Sequence, residues 1–133
     1  MDETLRQSVW DRAQDVCEYC HIAQRFDILP FQIDHVIAQK HHGLTTANNL
    51  ALCCYSDNSY KGPNIAGIDP DSGEVTRLFH PRRDTWDEHF QWDGPELVGR
   101  TAIGRATIDV LAINLPERVE HRRLLLAAGI WSG

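Results

Sequence analysis

Apolar residues at Leu5, Val9, Ala13 and Val16 recur near one face of a 3.6-residue period, which predicts a helix over 4–16 with Asp2 or Thr4 as its cap. The period then changes. Residues 31–37, Phe-Gln-Ile-Asp-His-Val-Ile, alternate Phe31 and Ile33 with polar neighbours and are rich in β-branched side chains, the pattern of a half-buried strand. A polar loop, "AQKHHGLTTANN", separates this strand from the apolar run 50–53, read as a second strand. Asp57 to Tyr60 predict a short helix stopped by Gly62 and Pro63. Further on, Pro70-Asp71-Ser72-Gly73 is a turn between two extended runs and predicts a hairpin, and "DTWDEHF" reads as helical. Thr101 caps a helix with an apolar stripe at Ile103, Thr107, Val110 and Leu111, and Pro116 opens another that closes at Gly129. Short strands and separate helices together give an α+β class.

A chain of 133 residues is the size of one domain, and 42% hydrophobic with 24% charged residues is the balance of a chain that buries a real core. The opening "MDETLRQSVWDR" is charged, and no run is apolar enough to span a bilayer, so the expectation is no membrane and a cytoplasmic location. The net charge of −6 weighs against polyanion binding over the whole surface. It is uneven, however: residues 84–99 carry −5 and residues 100–133 carry +2. Contact with phosphates would therefore be local, through Lys61, Arg82 and Arg83, or through Arg100 and Arg105.

The four cysteines fall as Cys17 and Cys20, spaced C-x-x-C, and as the adjacent Cys53 and Cys54. In a reducing compartment this spacing points to a metal before a disulfide. A redox C-x-x-C would sit between a strand and a helix start, whereas "DVCEYCH" follows a predicted helix, so metal is the better reading.

Taken in order, the cysteine pair, "IDHVIAQKHHG", "TTANNLALCC" and "YSDNSYKG" resemble the HNH endonuclease family, whose core is the ββα-metal fold. The motif-level resemblance covers residues 17–62, and "KGPNIAGIDPDSGEVTRLFHPRRDTWDEHF" also looks like an extension of a small stand-alone bacterial subgroup. The resemblance implies one HNH nuclease domain over 1–133, with core 17–62 and C-terminal extension 63–133, added N- and C-terminal helices and a β-hairpin. It implies a metal-dependent endonuclease acting on DNA and leaving 3′-hydroxyl and 5′-phosphate ends. His35 would be the general base, Asp34 and Asn58 the ligands of Mg²⁺ or Mn²⁺, and Asn49 (or Asn48, one position out of register) the brace of the loop behind the base. The chemistry agrees: hydrolysis needs an activated water and a cation near the phosphate, and histidine and oxygen ligands suit those tasks. Because neighbouring strand residues point to opposite faces, Asp34 and His35 share a site only if the strand end twists. His41 and His42 read as solvated loop residues.

One position departs from the family. Members with a structural zinc carry C-x-x-C twice, and here Asp57 stands at the fourth position, giving Cys17, Cys20, Cys54 and Asp57. Zinc accepts carboxylate oxygen, although structural sites prefer Cys and His. Two alternatives stay open: Cys53 could replace Cys54, or Asp57 could join Asn58 at the catalytic cation. The rival to the enzyme is a non-catalytic nucleic-acid- or protein-binding module on the same fold. A redox-sensing zinc switch would additionally need oxidant-responsive thiols.

Overall fold

Asp2 accepts hydrogen bonds from the amides of Thr4 (2.6 Å) and Leu5 (3.3 Å) and opens α1, Glu3–Ala13. The helix stops three residues before the predicted end because Gln14 (φ 54°) and Asp15 (φ 59°) turn into the left-handed region. That turn leads Val16 into a bridge with Ala23, with the first cysteine pair between them. The computed structural model describes residues 1–133 in two units, Met1–Ile65 with His80–Arg83 and Ala66–Phe79 with Asp84–Gly133.

In the first unit, β1 (Gln32–His35) pairs antiparallel with β2 (Leu50–Cys53), so that Asp34 lies opposite Ala51 and His35 opposite Leu50. Every residue of β2 is buried, which makes it the centre of the unit. Val9 of α1 is fully buried, and Trp10 stacks on Phe31 at 6.3 Å between ring centres. Burying an aliphatic side chain such as Val9 or Leu52 completely contributes roughly 1.5–3 kcal/mol each. α2 (Tyr55–Lys61) follows β2 at once and starts two residues earlier than expected, because Cys54 caps it by accepting the Asp57 amide on Sγ at 3.3 Å. Gly62 (φ 50°) then turns the chain away.

The second unit opens with the expected hairpin, β3 (Ala66–Ile68) against β4 (Val75–Arg77). The one-turn helix α3 (Trp86–His89) runs directly into β5 (Phe90–Asp93), which pairs with β6 (Glu96–Gly99) across Gly94 and Pro95. This second hairpin was not expected. α4 (Ala102–Val110) is capped by Thr101, whose hydroxyl accepts the Gly104 amide at 3.1 Å, and α5 (Pro116–Ala127) begins at its proline. Phe79 meets Phe90 edge-on at 5.2 Å, Trp92 meets Trp131 at 4.9 Å, and the buried Arg122 guanidinium lies over Trp92. Helices and small antiparallel strand pairs make the chain α+β. No helix is long and apolar enough to cross a membrane.

Candidate functional site

The turn after α1 and the N-terminus of α2 bring Cys17, Cys20, Cys54 and Asp57 together, all buried, with one ligand atom from each lying within 4.8 Å of the others. Cys17 Sγ is 3.2 Å from Asp57 Oδ2, and the sulfurs of Cys20 and Cys54 are 3.8 Å apart. A tetrahedral ion with metal–sulfur bonds of ~2.3 Å has sulfur–sulfur edges of ~3.8 Å, so the spacing fits a metal the size of zinc. Burial raises the Cys17 thiol, but hydrogen bonds from Cys20, Cys53 and Cys54 outweigh it and hold that thiol well below its ordinary range. Hydrogen bonds with Cys17 and then Cys20, with burial, push Cys54 up. Cys53 is a buried strand residue that bonds to Cys17 but stands outside the group of four, and Asp57 sides with the thiols. The loop between the first two cysteines is fixed to β2 through Glu18: its amide donates to Leu52 O at 2.9 Å, and its Oε2 accepts the Leu52 amide at 2.8 Å.

Alternation along β1 separates the next two residues. Asp34 turns inward, 4% exposed, while His35 stays half-buried. Tyr19 donates its hydroxyl to Asp34 Oδ2 at 2.7 Å, and the Lys61 ammonium lies 3.2 Å from each carboxylate oxygen. Lys61 is 1% exposed and also donates to the carbonyls of Val36 (3.0 Å) and His35 (3.3 Å). Burial pushes the Asp34 carboxyl above its ordinary range, more than Lys61 and Tyr19 pull it down. Burial, and then the Asp34 charge, raise Tyr19. Lys61 therefore differs from the expectation of a DNA contact: its three N–H bonds are engaged inside the protein, and none is offered to a phosphate.

His35 Nε2 meets Thr45 Oγ1 at 2.8 Å, and Gln39 Nε2 approaches the same oxygen at 3.5 Å. Behind the histidine, Asn49 Oδ1 accepts the Ile37 amide at 2.9 Å, while its Nδ2 donates to Ile37 O at 3.0 Å and to Leu44 O at 2.9 Å. Asn49 thus ties both ends of the 37–44 loop, whereas Asn48 is exposed and bonded to Thr46. Gly43 closes that loop where a Cβ would land on the Ile37 carbonyl and 2.9 Å from Asn49 Nδ2. Asn58 is half-buried on α2, three residues before Lys61 and so on the same helix face. His41 and His42 are exposed on the loop. Tyr19 and Thr45 were missed because a lone aromatic inside C-x-x-C and a threonine in a polar loop carry no local signal.

The remaining basic candidates differ among themselves. Arg82 is largely buried and pairs with Glu18; its burial, then the neighbouring Arg12, bring the guanidinium down to about 10. Arg83 is exposed. Arg105 is held in a two-bond clamp by Asp69 at 2.9 and 3.0 Å, and Arg100 reaches the Asp87 carbonyl at 3.3 Å.

Residues 17–64 match the family model described as HNH endonuclease. The chain is also 22% identical over 124 residues to the Septu protein PtuB of Bacillus thuringiensis, a match covering 92% of this chain and 46% of that protein. The chain thus spans about half the length of the curated relative it matches. No solved structure matches.

Proposed function

Because residues 17–64 belong to the HNH endonuclease family, we propose that this chain hydrolyses phosphodiester bonds in DNA with His35 as the general base, leaving 3′-hydroxyl and 5′-phosphate ends. One observation carries the reading: His35 is fixed on one nitrogen, by Thr45 at 2.8 Å, at the end of a strand whose following loop is tied down by Asn49. In this reading the imidazole is the tautomer that donates Nε2–H to Thr45 Oγ1. Nδ1 is then the bare nitrogen that takes the proton from an attacking water. Asn49 keeps the imidazole from swinging by fixing the backbone at Ile37, two residues on. The order β1, β2, α2 supports the ββα-metal reading of residues 17–62, with 63–133 as its extension within one nuclease domain.

The two proposed metals fare differently. Cys17, Cys20, Cys54 and Asp57 fit zinc by spacing and by donor chemistry; they would hold it as a cross-link between the first turn and α2. Zinc there would supply folding energy rather than catalysis. Asp34 and Asn58, the pair proposed for Mg²⁺ or Mn²⁺, do not fit such an ion as folded, because both Asp34 oxygens already bond to Lys61 and Tyr19. The same occupancy favours a second reading, a non-catalytic binding module.

Plasmid DNA incubated with the purified protein in Mg²⁺, in Mn²⁺ and in chelator separates the two. Nicking supports the enzyme. His35→Ala should then retain fold, zinc and DNA affinity while cleavage falls by ~10²- to 10⁴-fold, and the rise of rate with pH should vanish from the residue of activity. Cleavage unchanged in His35→Ala rejects the histidine as base, and absence of nicking under every condition favours the binding module. A cytoplasmic location goes with this reading, since zinc thiolates require reduced cysteines.

A further inference from the structure

A carboxylate that the family assigns to a divalent cation is here already holding a cation of the protein's own. The Lys61 ammonium sits equally far, 3.2 Å, from Asp34 Oδ1 and Oδ2, on the line where an ion bound to that carboxylate would lie. It is not a passing surface contact: the lysine is 1% exposed and the aspartate 4%. Its three donors meet three acceptors, the Asp34 carboxylate and the carbonyls of His35 and Val36. A Mg²⁺ or Mn²⁺ ion with oxygen distances of ~2.0–2.2 Å would overlap this ammonium and repel it.

We infer that Lys61 is the resident counter-ion of Asp34, and that a divalent cation reaches this carboxylate only by displacing the lysine, which thereby sets how much metal the site requires. The inference rests on the HNH reading of Asp34 as a cation ligand. The fold gives Lys61 a way out. It is the last residue of α2, Gly62 to Asn64 beyond it are exposed, and a flexible four-carbon stem moves without unwinding the helix. Asn58 lies on the same face of α2, one turn earlier, so the helix that supplies the counter-ion also carries the oxygen ligand that would take over. Tyr19 bonds only Oδ2, which leaves Oδ1 to an incoming ion once the ammonium has gone.

The test reads the lysine rather than the DNA. The chain has one other lysine, Lys40, which is exposed and serves as an internal reference. In reductive methylation of the wild-type protein followed by mass spectrometry, Lys61 should react far more slowly than Lys40. Adding Mn²⁺ should speed Lys61 and leave Lys40 unchanged. In calorimetric titration Lys61→Met should bind Mn²⁺ more tightly by on the order of tenfold or more, and Asp34→Asn combined with Lys61→Met should lose that gain. Should Lys61→Met fail to fold, methylation of the wild type decides alone. Displacement is refuted if Lys61 stays protected at Mn²⁺ concentrations that support DNA cleavage, or if Lys61→Met binds Mn²⁺ no better than wild type. The first of those outcomes keeps the nuclease and rejects the displacement; Mn²⁺-exposed Lys61 without cleavage does the reverse.

Discussion

The unit containing Asp34 has thiols and charges at its centre, while the unit containing Asp69 is filled with rings. In the first, Cys17, Cys20, Cys54, Asp57, Asp34 and Lys61 are all buried around β2. In the second, Phe79, Phe90, Trp92 and Trp131 form the packing, and the one buried carboxylate described there, Asp69, is fully satisfied. Arg105 holds Asp69 with two parallel bonds, and Ser72 and the Asp71 amide add two more. The consequence appears in their acidity: Arg105 first, then Ser72 and the Asp71 amide, hold Asp69 well below the carboxylate range, whereas burial lifts Asp34 above it. A two-bond arginine clamp fixes a carboxylate in its charged form. One ammonium and one tyrosine hydroxyl in a closed pocket do not offset the burial of theirs.

The largest way to break this contrast is to take away the proposed zinc. Metal analysis should find about one zinc per chain, and a chelator should lower the melting temperature by roughly 10 °C, the equivalent of ~2 kcal/mol. Amide exchange should rise in β1 and β2, and Asp57→Cys should retain the metal more tightly and melt higher. Protein without zinc whose Asp57→Cys variant gains nothing would sink the mixed-ligand site.

Acid should act next, and on Asp69. Because its folded pKa is depressed, the unfolded chain takes up the proton first as the pH falls; the stability it contributes is complete above the ordinary carboxylate pKa of ~3.9 and is lost as the pH drops from there towards the folded value. Acid unfolding followed by tryptophan fluorescence should therefore show a limb below pH ~4 that Asp69→Asn flattens. An unaltered limb would place the acid sensitivity elsewhere.

The smallest effect separates two adjacent arginines. Arg83→Ala should flatten the salt dependence of DNA binding by about one logarithmic unit at unchanged stability. Arg82→Ala should leave the slope alone and lower the melting temperature, since Arg82 is paired with Glu18. A reversed outcome would exchange their roles.

What was legible in the sequence was local. The strands at 31–37 and 50–53, the helix after them and the two tail helices follow from periodicity and caps, and each stands within a few residues of its expected place. The β5–β6 hairpin escaped although Asp93-Gly94 is a turn signal, because the acidic run around it and the helix pattern ending at Phe90 masked the change of period. Grouping Cys17, Cys20, Cys54 and Asp57 followed from the family resemblance, which set Asp57 at the place of a fourth cysteine. The burial of Lys61 was not legible, since it depends on a carboxylate 27 positions away and on the two carbonyls of His35 and Val36 at the end of β1. Arg82 failed for the same reason: its partner is Glu18, and nothing near residue 82 announces it.

That last pair bears on how the molecule is made. Glu18 joins a guanidinium 64 positions later in the chain, while its other oxygen holds the Leu52 amide. The family match ends at residue 64, so a growing chain has every recognised motif before it has Arg82. At ~5–20 residues per second the intervening stretch takes about one to four seconds to synthesise. Through that interval Glu18 holds the Leu52 amide without its guanidinium partner, and a polypeptide ended at residue 64 would never gain that ion pair.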